Sequence, residues 1–253
     1  MSKTLVIIPA RYESTRFPGK PLALLGGKPV IQWVWEAVSP MAEVAKAVVA
    51  TDDSRILSAV EGFGGVAMMT SSTHRSGTDR CAEVLAALEA RGERYDAVVN
   101  VQGDEPFITA DTVRTLIRAL DGSDIATLCT PIHDSAELFS PNNVKVVFAT
   151  DGRALYFSRQ PIPYQRGVAE AEWVARHRYF KHIGIYGFAG DTLSRVASLP
   201  QGELERCESL EQLRWLENGF SIAVSEVAEA SVGIDTPADL ELANNIITKK
   251  EKK

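Results

Sequence analysis

Over the first 130 residues, short apolar runs alternate with amphipathic stretches, and that order leaves few folds open. "TLVII" (Thr4 to Ile8), "AVVAT" (Ala47 to Thr51), "VAMM" (Val66 to Met69), "AVVNV" (Ala97 to Val101) and "ATLCT" (Ala126 to Thr130) are β-branched or apolar throughout, as strands covered on both faces are. Between them, Val30 to Val38, Ser54 to Phe63, Arg80 to Gly92 and Asp111 to Leu120 carry apolar residues at helical spacing. This β-α-β-α order predicts an α/β fold built on a doubly wound, mostly parallel, Rossmann-like sheet.

After Pro131 the rhythm changes. Asn143 to Ala149, Ala154 to Ser158 and His182 to Phe188 read as more closely spaced strands, with a long polar connection from Pro161 to His177. They predict a smaller mixed or antiparallel extension, over 131–190, of a single domain covering 1–248. Glu208 to Gly219 reads as a helix stopped by Asn218-Gly219; a strand "SIAVSEV" and a helix opened by "DTPADLELANNI" follow. The charged end at 249–253 is expected to fray.

With 27 Lys and Arg against 33 Asp and Glu, the net charge is -6, which argues against a general nucleic-acid or membrane-surface binder. An anionic ligand must then be held by local charge. No apolar run is long enough to span a bilayer and no signal-peptide pattern opens the chain, so a cytoplasmic protein is expected. Cys81, Cys129 and Cys207 show no paired spacing and the four histidines no metal-ligand spacing, which disfavours a disulfide frame or a zinc site.

In open α/β sheets, ligands bind beyond the carboxyl ends of the strands. After the first strand come Arg11, Arg16, Gly19 and Lys20; after the second, Thr51, Asp52 and Asp53; after the third, "TSSTHRSGTDR"; after the fourth, "QGDEP". The opening loop is not a Walker A loop, since Ser14 stands five before Gly19 and Pro21 follows the lysine, and no G-x-G-x-x-G is present. Two arginine forks and a lysine suit a triphosphate; the competing reading is a set of solvated ion pairs with neighbours such as Glu13. Gln102 and Asp104, two residues apart at a strand exit, can face one crevice, and an aspartate there suits Mg²⁺ shared with phosphate oxygens. The alternative for Asp104, capping the helix near Ala110, is weaker because Asp111 sits nearer that helix start. Asp235, far along the chain, offers a second carboxylate, and Asp235 or Thr236 equally suits the N-cap before Pro237. The loop Ser72 to Arg80 has the hydroxyls and backbone groups to read a planar heterocycle, or is an ordinary polar turn.

Taken together, "IPARYESTRFPGKPL", "ATDD", "HRSGTDR", "VNVQGDEP", "ALYFSRQPIPY", "HIGIYGF", "LEQLRWLENG" and "GIDTPADL", in this order, resemble the 3-deoxy-D-manno-octulosonate (Kdo) cytidylyltransferases, or CMP-Kdo synthetases, over essentially the whole chain. The resemblance implies a nucleotide-diphospho-sugar transferase type of fold. It implies Mg²⁺-dependent formation of CMP-Kdo and pyrophosphate from CTP and Kdo, for lipopolysaccharide, in a cytoplasmic homodimer. Carried onto this sequence, it puts Arg11, Arg16 and Lys20 on the triphosphate and Mg²⁺ on Asp104 and Asp235. The nucleotide would lie against Pro9, Ala10, Arg11, Lys20, Thr51, Asp52, His74, Ser76, Gly77, Thr78, Arg80 and Gln102. The sugar acid would meet Arg159 at its carboxylate and His182, Tyr186, Glu211 and Gln212 around its hydroxyls. On physical grounds alone Arg159 is the best of these five, because an arginine fork fits a carboxylate. Activation of another acidic sugar, such as 8-amino-Kdo or a sialic acid, and a non-catalytic nucleotide-binding module are the alternatives.

Overall fold

A computed structural model describes residues 3–228 and 233–251. Two compact units emerge, one made of residues 3–114 with 233–251 and the other of 115–228.

In the first unit the chain runs through β1 (Thr4–Pro9), a hairpin of β2 (Leu24–Leu25) and β3 (Lys28–Pro29), α1 (Val30–Val38), β4 (Val44–Thr51), α2 (Ser54–Gly62), β5 (Ala67–Met69), α3 (Gly77–Ala90) and β6 (Ala97–Asn100), then enters α4 (Ala110–Ala119). β1 pairs in parallel with both β4 and β6, and β4 in parallel with β5, giving the order β6-β1-β4-β5. The chain thus builds outward from β1 to β5 and then returns to the other side of β1. Right-handed crossovers put α1 and α2 on one face and α3 on the other, so the sheet is doubly wound. Its switch point lies between β1 and β6, and the crevice beyond their carboxyl ends is the ligand position of such sheets. Leu5 to Ile8, Val48 to Ala50 and Val98 to Val99 are fully buried, as strands covered on both faces must be.

The second unit contains β7 (Ile125–Pro131), α5 (Ser135–Phe139), β8 (Lys145–Phe148), β9 (Ala154–Ser158), α6 (Trp173–Arg176), β10 (Phe180–Ala189), α7 (Thr192–Ala197), α8 (Glu203–Glu208), α9 (Glu211–Glu217) and β11 (Ile222–Glu226). Only β11 and β7 are parallel; β7-β10, β10-β8 and β8-β9 are antiparallel. The mixed character expected from the sequence is present. Its extent is larger than 131–190, because β7 and β11 pair with each other and β7 with β10. The chain then returns to the first unit in α10 (Pro237–Glu251). Lys249 to Glu251 therefore continue a helix, and the last two residues of the charged end lie outside the described residues.

Three boundaries differ from the periodicity. α3 starts at Gly77, not Arg80, because the Ser76 hydroxyl accepts from Asp79 N at 3.1 Å and caps it. The stretch from Glu208 is two helices, since Ser209 adopts φ 53 between α8 and α9. α4 is capped by Thr109, whose hydroxyl accepts from Thr112 N at 3.1 Å, while Asp111 pairs with Arg114. Among the described residues no helix is long and apolar enough to cross a membrane.

Candidate active site

Beyond β1 and β6 lies a cleft of about 870 Å³. The loop after β1 doubles back on itself through Gly19 N donating to Tyr12 O at 2.8 Å. Gly19 takes φ 74, and a β-carbon there would sit 3.0 Å from the Tyr12 ring, so no larger residue closes this loop without displacing Tyr12. That closure delivers Lys20 to the cleft as the first residue of a short 3-10 turn.

Lys20 Nζ donates to Asp104 Oδ2 and, at 3.0 Å, to Asp235 Oδ1; Arg16 Nη2 lies 3.1 Å from Asp235 Oδ2. The two carboxylates that the sequence separates by more than a hundred residues thus meet on one ammonium. A backbone bond joins their segments, Ile234 N donating to Asp104 O at 2.8 Å. Burial pulls the Lys20 pKa down, but the Asp104 charge and the bonds to both aspartates outweigh it and hold the pKa above its ordinary value. The competition for Asp235 between capping and the cleft is resolved by its neighbours. The Thr236 hydroxyl accepts from Asp239 N, and Asp239 Oδ2 accepts from Asp235 N and Thr236 N, so this pair caps α10 and Asp235 keeps its carboxylate for the cleft. The segment before α10 is irregular, not a strand end. Neither Arg16 nor Lys20 pairs with Glu13.

Of the residues assigned to the nucleotide, Pro9, Ala10, Arg11, Lys20, His74, Ser76, Gly77, Arg80 and Gln102 line the cleft. Thr51, Asp52 and Thr78 are not among its lining residues. Thr51 and Thr78 are buried, and Asp52 accepts from the Arg80 guanidinium at 2.8 Å. Arg80 also donates to the Thr70 hydroxyl and is itself buried, so Asp52 acts by fixing Arg80. His74 is held by Glu83, which also accepts from Ser71 N; that backbone bond and the histidine keep the Glu83 carboxyl below its ordinary pKa.

The lining also includes residues outside that set, and three of them, Tyr12, Arg55 and Arg75, carry chemistry. Tyr12 and Arg55 form a stack, the guanidinium 3.3 Å from the ring centroid, while Arg55 forks onto Asp53 at 2.9 and 2.6 Å. The signal was the strand-exit "DD" followed two residues later by an arginine in the first turn of α2. Arg75 lay inside the quoted "HRSG". Among the described residues neither Arg11 nor Arg75 forms an ion pair, whereas Arg16, Lys20, Arg55 and Arg80 each have an aspartate.

In the second unit His182, Tyr186 and Glu211 are neighbours, Arg159 is tied to the residues just before Glu211, and Gln212 follows Glu211 in α9. Arg159 leaves β9 and donates from Nε to Glu208 O, from Nη1 to Pro141 O and from Nη2 to Ser209 O. It is thereby tied to the bend that opens α9, where Glu211 is the first residue and Gln212 is buried. Lys145, fully buried, donates to the Ser140, Asn143 and Arg159 carbonyls and fixes the same loop from beneath. Tyr186 is buried edge-on to Trp215 at 4.8 Å, and burial followed by the Glu211 charge holds its hydroxyl well above its ordinary pKa. His182 lies 5.4 Å from Tyr186 and edge-on to Phe157.

Burial alone pushes the His182 pKa down to about 3. The ring is therefore neutral. The Thr127 hydroxyl donates to the Ile185 carbonyl at 2.8 Å, so it accepts from His182 Nε2-H at 2.9 Å, which leaves Nδ1 as the acceptor. The consequence for stability has a definite sign. The unfolded chain takes up this proton below its ordinary pKa of about 6.5 while the folded chain waits until about 3, so stability is lost as pH falls through that window. From pH 7 to pH 5 the wild type is expected to lose about 2 kcal/mol more than His182→Gln in urea unfolding; equal losses would show that His182 titrates in the folded state.

The comparisons with known proteins converge. The Cytidylyltransferase family model matches residues 5–225. The 3-deoxy-manno-octulosonate cytidylyltransferase of Parabacteroides distasonis is 49% identical over 249 residues, 96% of this chain and 97% of that protein. The Escherichia coli protein of the same name is 48% identical over 244 residues, 95% and 94% of the two chains. A solved CMP:2-keto-3-deoxy-manno-octonic acid synthetase complexed with CTP superposes with a TM-score of 0.90 at 45% identity, over 98% of this chain and 100% of that one. A cytidylyltransferase from Leptospira borgpetersenii, at 17% identity and TM-score 0.62, shares the fold. Identity near one half along nearly the full length, joined to the same fold, makes this chain a member of the 3-deoxy-manno-octulosonate cytidylyltransferase family.

Proposed function

We propose that this chain transfers the cytidylyl group of CTP to Kdo, giving CMP-Kdo and pyrophosphate for lipopolysaccharide synthesis. The observation that carries the reading is the meeting of Asp104 and Asp235 with Lys20 and Arg16 at the switch point of the sheet, in a cleft that also presents Arg11 and Arg75. Family membership gives the substrates. The anomeric hydroxyl oxygen of Kdo bonds to the α-phosphorus, the bond from that phosphorus to the pyrophosphate oxygen breaks, and the hydroxyl proton leaves to solvent. Both reactants are anions, so the residues must offset repulsion before they can align them. Arg11 and Arg75, which among the described residues hold no carboxylate, supply forks for phosphate oxygens. The N-capped start of α3, at Ser76 and Gly77, adds backbone N-H groups on the same cleft.

The donor set fits Mg²⁺. Two carboxylates converge with no third acidic or histidine ligand in a cluster among the described residues, the pattern of an ion that completes its shell with phosphate oxygens and water. Asp104 and Asp235 would hold it, and when bound it would supply neutralisation of the charge that develops on the transferring phosphoryl group. In the second unit, Arg159 has three of its five N-H groups on backbone carbonyls, which orients the guanidinium and leaves two donors for a carboxylate. Neutral His182 offers Nδ1 to a sugar hydroxyl. A homodimer in the cytoplasm belongs to the same reading on family grounds.

The test is pyrophosphate release from each of the four nucleoside triphosphates, crossed with Kdo, 8-amino-Kdo and a sialic acid. Release is expected with CTP and Kdo above every other pair. Preference for another acid would move the substrate assignment, and no release with any pair would leave only a nucleotide-binding module.

A further inference from the structure

We infer that Lys20 is a resident stand-in for the divalent cation: its ammonium holds Asp104 and Asp235 together in the nucleotide-free protein, keeps a bare metal ion out, and gives up the carboxylates when the triphosphate arrives. The inference rests on the proposed reading of Asp104 and Asp235 as the residues that hold Mg²⁺.

The geometry is specific. Nζ of Lys20 bonds one oxygen of each carboxylate, Asp104 Oδ2 and Asp235 Oδ1, and Arg16 covers the other oxygen of Asp235. The Lys20 side chain is 14% exposed and Asp104 29%, so their contact is the enclosed half of the cluster, whereas Asp235 is 48% exposed and open to solvent screening. Charge sets the order of events. Two carboxylates and two basic groups sum to zero, so a divalent ion approaching alone meets no net attraction and must displace a hydrogen-bonded ammonium. A triphosphate brings oxygens that accept from Lys20 and Arg16, and as these turn to the phosphates the carboxylate oxygens lose their neutralising partners and are free to hold a cation. Asp104 and Asp235 would then hold the cation, so metal affinity is expected to appear together with the nucleotide. Before that, the lysine prevents the repulsion that two adjacent bare carboxylates would otherwise suffer. Coupling of this kind is reciprocal: whatever the nucleotide adds to metal affinity, the metal adds to nucleotide affinity.

The experiment measures Mn²⁺ binding to the nucleotide-free full chain, from the loss of the free-ion electron paramagnetic resonance signal, together with the change in thermal midpoint on adding Mg²⁺. Wild type is expected to bind Mn²⁺ weakly and to show no Mg²⁺-dependent rise in midpoint. Lys20→Met is expected to bind Mn²⁺ about tenfold tighter or more and to be stabilised by Mg²⁺. Lys20→Arg, which keeps the charge, is expected to behave as wild type, and Lys20→Gln repeats the comparison should Lys20→Met not fold. Equal nucleotide-free Mn²⁺ affinity in wild type and the neutral variants would overturn the inference. The metal assignment fails separately: in that case Asp104→Asn would keep the wild-type Mg²⁺ dependence of CTP binding, measured by calorimetry.

Discussion

Asp104→Asn abolishes nearly all turnover, by about 10³-fold at any Mg²⁺ concentration, while the protein folds and melts close to wild type. The side chain is isosteric, and its amide oxygen still accepts from Lys20 Nζ, so the local bond that ties Lys20 to the loop after β6 survives. The backbone bond from Ile234 N to Asp104 O is untouched. What disappears is one of the two negative charges on which the cleft converges. An amide oxygen is a poorer ligand for a hard cation than a carboxylate, and excess Mg²⁺ cannot restore charge that the site lacks. The loss should therefore fall on kcat as well as on the Mg²⁺ requirement, the signature of an interaction made in the transition state. Pyrophosphate release at saturating CTP and Kdo, over a range of Mg²⁺, is the measurement, with thermal melting as the fold control. Turnover within a few-fold of wild type would remove Asp104 from the chemistry.

Much of this cleft could be read before any coordinates, and the parts that could not share a cause. Strands such as Thr4 to Ile8 are legible because burial on both faces leaves an unbroken apolar run, and the switch-point rule then points to their exits without reference to any side-chain contact. Partners are another matter. Lys20 bonds Asp104, 84 residues away, and Asp235, 215 residues away, and nothing in local spacing says that the basic loop and the acidic tips will be tied to each other. The same holds for Asp52, whose ion pair with buried Arg80, 28 residues away, no local spacing announces. Other misses were local and had signals. Ser76 followed three residues later by Asp79 marks the true start of α3, a capping pattern that outranks the first apolar residue at helical spacing. Ser209 carries no such mark. It takes positive φ as the C-cap of α8 although it is not a glycine or asparagine, and the stretch reads as one helix until the bend is seen.

Gly103→Val is expected to damage the first unit severely, costing about 3 kcal/mol or more of stability and lowering CTP affinity with it. Gly103 does not need its residue type for a left-handed backbone. It needs space. A β-carbon there would stand 2.8 Å from the Pro9 carbonyl oxygen, 3.2 Å from Ile31 Cδ1 and 3.3 Å from Ala10 Cβ, and the nearest of these is backbone of the neighbouring strand, which cannot swing aside as a side chain would. The two segments that form the cleft floor, the exits of β1 and β6, are thus in contact at this glycine. A branched side chain must push them apart, and the displacement reaches Gln102 and Asp104 on either side and, through the Asp104 carbonyl, the segment that carries Asp235. Stability and nucleotide binding should fall together, since one movement causes both. Gly62→Ala is the matched control: that glycine ends α2 with nothing within 4 Å of a β-carbon, so the change should be neutral or slightly stabilising. Urea unfolding and CTP titration of the two variants decide the point, and a Gly103→Val protein as stable as wild type would mean that the floor of the cleft yields far more easily than its packing implies.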